Sequence, residues 1–217
     1  DKSIILNANS IINAINRPSF INKLDINEKE SRDKDAWEPI EVSYKNIISN
    51  NFSFHPGYYH LVKKFPSDTY LPLIDYCELF KSKRVKASNY PYIRPTELNG
   101  GIINKSDGME GNRTRRKGRL LEEPAILIGL VGGSAKPTYF TCSFIAEISD
   151  NVAIIKIKST TVDYEFLNQE LNTDYVQEQF SLLQQGNSSL KHIPSKDILK
   201  IRIKIPELKE QRKLVES

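Results

Sequence analysis

Residues 125–158 read AILIGLVGGSAKPTYFTCSFIAEISDNVAIIKIK, and this stretch decides the fold class. The continuous apolar run at 125–131 has the length of a strand, and the Gly-Gly-Ser sequence at 132–134 predicts a turn after it. Aromatic and β-branched residues return over 138–145, which is typical of the second arm of a hairpin. A further strand is predicted over 151–158, where apolar residues and lysines alternate. The stretch therefore predicts a β-sheet with antiparallel neighbours.

Downstream of these strands the sequence changes to helical periodicity. Apolar residues recur about every 3.6 positions and predict one core-facing helix surface: Phe166, Leu167, Leu171, Val176, Phe180 and Leu183. A break near Asn172-Thr173 divides this helix, and Gly186 is its predicted C-terminal stop. Residues 195–197 predict the cap of a brief second helix, and residues 201–205 alternate as a strand. A charged helix is predicted over 207–215.

Upstream of the decisive stretch, turn signals alternate with short extended pieces. Residues 89–96 (NYPYIRPT) predict an extended segment with prolines at an edge or a bend. Asn99-Gly100-Gly101 predicts a turn, and the isoleucines at 102–103 predict a strand after it. Residues 104–118 are polar, basic and contain glycine, which predicts a long surface loop. Loops of that length are uncommon in compact domains unless they have a function.

The first 65 residues differ from the rest of the chain. They are rich in Asn, Ile and Ser, and the charged segment 28–35 predicts an exposed loop. Short apolar pieces at 3–6 and 40–48 flank that segment, and residues 54–59 (FHPGYY) predict a turn surrounded by aromatic side chains. Pro66 and Pro72 mark the predicted boundary with the next domain. We expect the N-terminal segment to pack on something larger.

The bulk composition excludes several classes of protein. Hydrophobic residues make up 39% and charged residues 27% of the chain, which is typical of a globular domain with a core. No run of about 18 apolar residues is present, so no transmembrane helix is predicted. The start of the chain has no signal-peptide pattern, and Cys77 and Cys142 lie far apart in sequence. We therefore expect a cytoplasmic protein with two inert thiols.

The basic residues concentrate between Lys81 and Arg119. That interval holds eleven basic residues and three acidic residues, although the formal net charge of the whole chain is only +4. A basic stretch in an otherwise mildly acidic chain is typical of a face that binds a polyanion. The alternative is a solvated loop that happens to be rich in Lys and Arg.

No catalytic or cofactor motif is found. The chain has no phosphate-binding loop and no zinc-protease helix, and its histidines (His55, His60 and His192) lie outside any metal-ligand spacing. Asn89-Tyr90-Pro91-Tyr92 lacks the double proline of the adenine methyltransferase loop that holds a flipped base. No glycine motif for S-adenosylmethionine accompanies it. We therefore predict no metal, no cofactor and no catalytic centre in this chain.

The order of the elements resembles a known family. From about Leu71 to Ser217 the chain resembles a target-recognition domain of the type I restriction–modification specificity subunits. The stretches that carry the resemblance are residues 73–80, 90–98 with 100–102, 125–128, 133–136, 151–155, 166–171, 185–186, 192–198 and 203–211. The last of these (IKIPELKEQ) is similar to the beginning of that family's long spacer helix. Residues 3–8 and 51–59 resemble the tail of an N6-adenine methyltransferase subunit.

The resemblance implies a fold and a division into domains. The fold class is α+β, with a mixed or antiparallel β-sheet target-recognition domain and packed helices. An irregular N-terminal extension resembling a methyltransferase tail would occupy residues 1–65. The recognition domain would occupy 66–206, and 207–217 would be the truncated start of the spacer helix. A specificity subunit usually has two recognition domains, whereas one is found here.

The resemblance also implies a function and partners. The chain would recognise a DNA sequence and direct methylation and restriction to it, without being an enzyme by itself. Its partners would be double-stranded DNA, an N6-adenine methyltransferase subunit, a restriction subunit, and a second half-subunit for self-pairing. Two alternatives stay open: the C-terminal specificity part of a fused methyltransferase–endonuclease polypeptide, or a non-catalytic nucleic-acid-binding or interaction adapter. Charge alone does not distinguish DNA from RNA.

The candidate DNA contacts follow from the basic interval and the resemblance. Arginine can bind guanine O6 and N7 with two hydrogen bonds, whereas lysine suits phosphate. The loop at 113–119 is the first candidate, followed by weaker candidates on the neighbouring segments. The complete set is Arg113, Arg115, Arg116, Lys117, Arg119, Arg84, Lys86, Arg94, Tyr92, Thr96 and Lys136.

Overall fold

The computed structural model describes residues 3–6, 40–43, 47, 55–86, 89–109, 117–132, 135–185 and 191–216. The chain forms two compact units, Asp1–Lys64 and Phe65–Ser217.

The described residues of the first unit include two strands and a helix. Strands β1 (Ser3–Leu6) and β2 (Ile40–Ser43) pair antiparallel, and helix α1 spans Pro56–Lys64. Val42, Ile47 and Tyr59 form its buried cluster. The turn predicted over 54–59 is wrong from residue 56 onward, because Pro56 begins a helix. The fixed backbone angle of proline suits the first helical position, where its missing N–H costs no hydrogen bond.

The second unit has eleven strands and four helices within its described residues. The strands are β3 (Leu71–Pro72), β4 (Cys77–Leu79), β5 (Arg84–Lys86), β6 (Tyr92–Ile93), β7 (Ile102–Ile103), β8 (Lys117–Leu121), β9 (Ala125–Gly129), β10 (Thr138–Phe140), β11 (Ala146–Ile148), β12 (Val152–Ile157) and β13 (Arg202–Ile203). The helices are α2 (Tyr164–Leu171), α3 (Asp174–Leu183), α4 (Ser195–Ile198) and α5 (Leu208–Val215). Two 3-10 turns lie at Leu73–Asp75 and Pro95–Glu97.

Two mixed sheets form the body of this unit. The larger has the strand order β4-β12-β9-β10-β7, and the smaller has the order β5-β8-β11-β6. Each sheet is antiparallel except at its last pair, where β10–β7 and β11–β6 run parallel. Strands β13 and β3 form a separate antiparallel pair. The α+β class with mixed sheets and packed helices is therefore confirmed.

The two sheets share one hydrophobic core. Ile93, Leu121 and Ile148 from the smaller sheet cluster with Leu127, Phe140 and Ile154 from the larger one. All five residues of β9 are buried, because helix α2 packs on the other face of the larger sheet. This burial on both faces explains why β9 is a continuous apolar run in the sequence.

The predicted hairpin is confirmed, and so is its continuation into β12. Strand β10 pairs antiparallel with β9, and β12 pairs antiparallel with the other side of β9. The second arm ends earlier than predicted, however, at Phe140. Cys142 has a φ of 63°, which ends the extended conformation. The chain then enters the smaller sheet as β11.

The helical predictions are confirmed, whereas the strand predicted after the helices is shorter than expected. The apolar face belongs to two helices, α2 and α3, which are divided at Asn172 and Thr173 as the sequence indicates. Helix α3 ends at Leu183, and the predicted stop at Gly186 lies outside the described residues. The strand predicted over 201–205 is shorter, because the Lys204 N–H donates to the Glu170 carboxylate at 3.2 Å and to the Tyr175 hydroxyl at 3.1 Å.

Candidate nucleic-acid interface

Basic residues meet on one face of the β5–β8 pair. In this antiparallel pair Arg84 lies opposite Arg119, and Lys86 lies opposite Lys117. Side chains alternate between the two faces of a strand, so these four positions share one face. Like charges in direct opposition destabilise a sheet pair. These like-charged pairs therefore destabilise the β5–β8 pairing, and sheet formation alone does not explain why basic residues occupy the four positions.

Asp150 partly offsets the repulsion. Its Oδ1 lies 3.7 Å from Nη2 of Arg84 and 3.7 Å from Nε of Arg119. The side chain of Arg84 is 65% exposed, so this ion pair is screened by water and contributes little stability. Arg84 can therefore turn toward an external anion at small cost.

Arg119 is held differently, although it lies on the same face. Its side chain is only 18% exposed, and its Nη2 donates to the carbonyls of Ser149, at 3.1 Å, and Val152. Its register partner in β11 is the fully buried Ile148, which places the aliphatic stem at the margin of the core. Burial lowers the pKa of Arg119, although Asp150 acts in the opposite direction. Arg119 thus ties β8 to the turn between β11 and β12.

Gly118 and Glu147 form a close contact on the opposite face. Glu147 is fully buried in β11, and a Cβ at position 118 would lie only 2.8 Å from its Cδ. Glycine at 118 is therefore required for the backbone of β8 to pass the buried carboxyl group. Sequence reasoning missed both residues. A glycine inside a basic strand was the available signal, since such glycines often mark a close approach.

Near β6, the candidates Arg94 and Thr96 both donate hydrogen bonds to Glu97. Arg94 donates to Glu97 through Nη2 at 2.6 Å and through Nε at 3.2 Å, and Thr96 donates to the same carboxylate at 3.0 Å. Burial raises the pKa of Glu97, but hydrogen bonds from Arg94 and Thr96 outweigh burial and lower it overall. Tyr92 lies opposite Glu147 in the register of β6 and β11, on the other face from Arg119.

The remaining candidates fall in three places. Lys86 and Lys117 lie opposite one another at one end of the β5–β8 pair. Residues 110–116 directly precede Lys117 in the sequence. Arg113, Arg115 and Arg116 lie outside the described residues. Lys136 is exposed in the connection between β9 and β10. The structure thus brings together Arg84, Arg119 and the strand positions of Lys86 and Lys117.

The pKa values of both cysteine thiols are raised. Cys77 is buried, and burial raises the pKa of its thiol to about 12. Burial also raises the pKa of the Cys142 thiol. Across the part of the chain that the structure describes, no three His, Cys, Asp or Glu side chains are grouped to hold a metal ion. Over the same residues, every helix is too short or too polar to span a bilayer.

Known structures share limited similarity with the chain. One is described as "Structural basis underlying complex assembly and conformational transition of the type I R-M system", with 15% identity, a TM-score of 0.48, and coverage of 74% of this chain and 42% of that chain. The HsdS subunit from Thermoanaerobacter tengcongensis has 14% identity, a TM-score of 0.44 and coverage of 74% and 41%. The type I S subunit from M. genitalium has 14% identity, a TM-score of 0.42 and coverage of 68% and 37%. The chain thus spans about two fifths of the length of these proteins.

Family membership rests on a match in sequence. No curated protein matches this chain significantly. The family model described as "Type I restriction modification DNA specificity domain" matches residues 74–217, which is well over half of the chain. The chain therefore belongs to the family of type I restriction–modification DNA specificity domains.

Proposed function

We propose that this chain recognises a short DNA sequence and directs an adenine-specific restriction–modification complex to it. The observation that carries the proposal is the register of β5 and β8, which places four basic positions on one face. Phosphate contacts supply salt-dependent affinity and fix the register of a protein on DNA, while base contacts supply specificity. A cationic strand pair, with β8 preceded in sequence by three further arginines, would provide both kinds of group.

The basic residues have different proposed roles. Arg84, Lys86 and Lys117 would contact phosphates, because Arg84 is mostly exposed and the two lysine positions share its face of the β5–β8 pair. Arg113, Arg115 and Arg116 would read base edges, since each arginine fork bound to guanine discriminates by about 1–3 kcal/mol. Arg119 would position the strand through its bonds to Ser149 and Val152. Arg94, Tyr92, Thr96 and Lys136 are additional candidate contacts.

The chain itself would carry no catalytic step. An N6-adenine methyltransferase subunit, and a restriction subunit with it, would supply the chemistry and dock on the helix that begins as α5. A second copy of a similar half-subunit would complete a split target. Residues 1–65 would be the tail of a methyltransferase, as in a fused polypeptide.

The test is selection of binding sequences from a randomised pool of duplex DNA. The full chain would be compared with three variants: the triple change Arg113→Ala, Arg115→Ala and Arg116→Ala, the single change Arg84→Ala, and Lys158→Ala as the matched control. Lys158 is an exposed cation beyond the far end of β12. We expect a short motif from the wild type and the control, a relaxed motif from the triple variant, and an unchanged motif with weaker binding from Arg84→Ala.

Two outcomes would contradict the proposal. A folded wild-type chain that enriches no sequence would refute sequence-specific recognition. Preference for single-stranded RNA over duplex DNA in a competition assay would replace DNA with RNA as the ligand.

A further inference from the structure

Three segments of the chain meet at a corner remote in sequence from the basic interval. His192 forms antiparallel bridges with both Val131 and Gln185. Its backbone exchanges two hydrogen bonds of 2.8 Å with Gln185, and the N–H of Ile193 donates to the Leu130 carbonyl at 2.9 Å. The connection after β9 and the segment after α3 are therefore fixed side by side.

This corner exposes positive charge without a matching acid. Lys136, Lys191 and His192 are all exposed, and the described residues of 129–137 and 184–193 include no Asp or Glu. Among the described residues, neither lysine makes a salt bridge. Two exposed lysines with no acidic partner among the described residues attract an external anion.

The backbone at Lys136 points to a function as well. Lys136 has a φ of 39°, which lies in the left-handed region that residues other than glycine adopt at a cost. One side-chain and one backbone hydrogen bond flank this position: the Thr138 hydroxyl donates to the Lys136 carbonyl at 2.9 Å, and the Gly129 N–H donates to the Ala135 carbonyl at 2.8 Å. Glycine would relieve the strain, yet lysine is present. Strained positions of this kind concentrate at binding sites.

A single turn connects the corner with the β5–β8 face. The Leu130 N–H donates to the Asn151 carbonyl at 2.9 Å. The same turn carries Ser149 and Val152, whose carbonyls accept from Arg119, and Asp150, which faces Arg84. The two cationic surfaces therefore flank the 149–152 turn, within one continuous hydrogen-bonded framework.

We propose that Lys136, Lys191 and His192 form a second DNA-contact surface that grips the phosphate backbone of the duplex. The inference rests on the proposed function and adds a second place of contact to it. Ammonium groups bind phosphate as point charges and lack the planar fork that reads guanine. The surface therefore adds affinity for the duplex without altering the preferred sequence.

The test uses the full chain with Lys136→Gly and Lys191→Ala, singly and together, and Lys158→Ala as the control. The probes are a labelled duplex carrying the sequence recovered from the random pool and a labelled duplex with the same bases scrambled. Dissociation constants are measured over a series of salt concentrations. Thermal unfolding is recorded for each variant.

We expect the double variant to bind both duplexes at least about tenfold more weakly at 0.1 M salt, and to retain the motif. Loss of two phosphate contacts should lower the slope of log affinity against log salt by about 1.8. Lys136→Gly should unfold at an unchanged or higher temperature, because glycine tolerates the left-handed backbone. Weaker DNA binding together with unimpaired stability is a result that a purely structural role would not produce.

Three results would overturn the inference. Unchanged affinity and salt slope in the double variant, with wild-type binding intact, would remove the second surface and leave the proposed function standing. A changed motif would show that the corner reads bases and would refute a phosphate grip. Failure of the wild type to bind either duplex would refute both proposals.

Discussion

At the scale of single residues, the most consequential side chains are those whose partners lie far away in sequence. Gln211 is the buried residue of α5, and its amide is fully used. Its Oε1 accepts from the Asp163 N–H at 2.9 Å, while Nε2 donates to the carbonyls of Thr161 at 2.7 Å and Pro206 at 2.8 Å. One side chain therefore fixes the start of α5 to the segment that precedes α2.

Replacing Gln211 with alanine should lower the free energy of unfolding by about 1–3 kcal/mol, because buried backbone groups lose their hydrogen-bond partners. Urea unfolding followed by circular dichroism measures the effect. Lys213→Ala, an exposed change on the same helix, is the control and should alter stability by less than about 0.5 kcal/mol. Equal midpoints for the two variants would show that the Gln211 amide does not hold the helix.

Gly118 provides a second residue-scale prediction. Gly118→Ala should destabilise the fold by about 1–3 kcal/mol, since the new methyl group meets the buried carboxyl group of Glu147. The double variant Gly118→Ala with Glu147→Ala removes the obstacle, so the two changes should be non-additive in a double-mutant cycle. Strict additivity in urea unfolding would mean that the strand accommodates alanine without meeting Glu147.

At the scale of elements, the β5–β8 pair assigns different roles to two arginines that face one another. Arg84 is mostly exposed and, among the described residues, pairs with the exposed Asp150, whereas Arg119 bonds to two carbonyls of the 149–152 turn. Strand register brings both to one face, and burial then distinguishes them. The element therefore combines a residue free to contact a ligand with one that holds the strand in place.

This difference predicts opposite consequences for stability and binding. Arg119→Ala should lower the free energy of unfolding by about 1–3 kcal/mol, because two carbonyls lose a charged donor. Arg84→Ala should change stability by less than about 0.5 kcal/mol, since an exposed ion pair contributes little. Arg84→Ala should nevertheless lower the salt slope of DNA binding by about 0.9, as expected for one lost phosphate contact. Similar stability losses in both variants would contradict the distinction.

At the scale of the whole molecule, the chain divides into two compact units. The unit Phe65–Ser217 contains both mixed sheets and their shared core, while Asp1–Lys64 has a small cluster around Val42, Ile47 and Tyr59. A domain that buries its own core can fold alone. We therefore propose that the recognition domain is an independent folding unit.

The prediction is that a fragment of residues 65–217 folds and unfolds cooperatively at the same urea midpoint as the corresponding transition of the full chain. Unfolding is followed by circular dichroism and not by tryptophan fluorescence, because the single tryptophan, Trp37, lies outside the fragment. The full chain is the control. A fragment without a cooperative transition would show that the first unit is required for folding.

Most strands and helices could be predicted from the sequence because their signals are local. The continuous apolar run of β9, the break between α2 and α3, and the start of α5 are all visible within a few residues. Two elements were predicted wrongly because their limits depend on distant partners. The strand at 201–205 is shortened by Glu170 and Tyr175, and β8 begins at Lys117 because it pairs with β5.

The candidate site was predictable only as a region. Counting charges identified the basic interval and ranked Arg119 with the loop arginines, since formal charge is the same for every arginine in a sequence. The contribution of each arginine depends on its exposure and its partners. Those partners are the carbonyls of residues 149 and 152, about thirty positions along the chain.

The sequence by itself determined the fold class, the family and the concentration of positive charge, because periodicity, motif order and charge are properties of neighbouring residues. Only the tertiary structure decided which basic residues are available to a ligand and where a second cationic surface lies. Strand pairing, such as that of Arg202 with Pro72, and bridges such as that of His192 bring together segments from about 60 to about 130 residues apart. Pairing across such distances is selected by the burial of the shared core, which no local stretch of sequence contains.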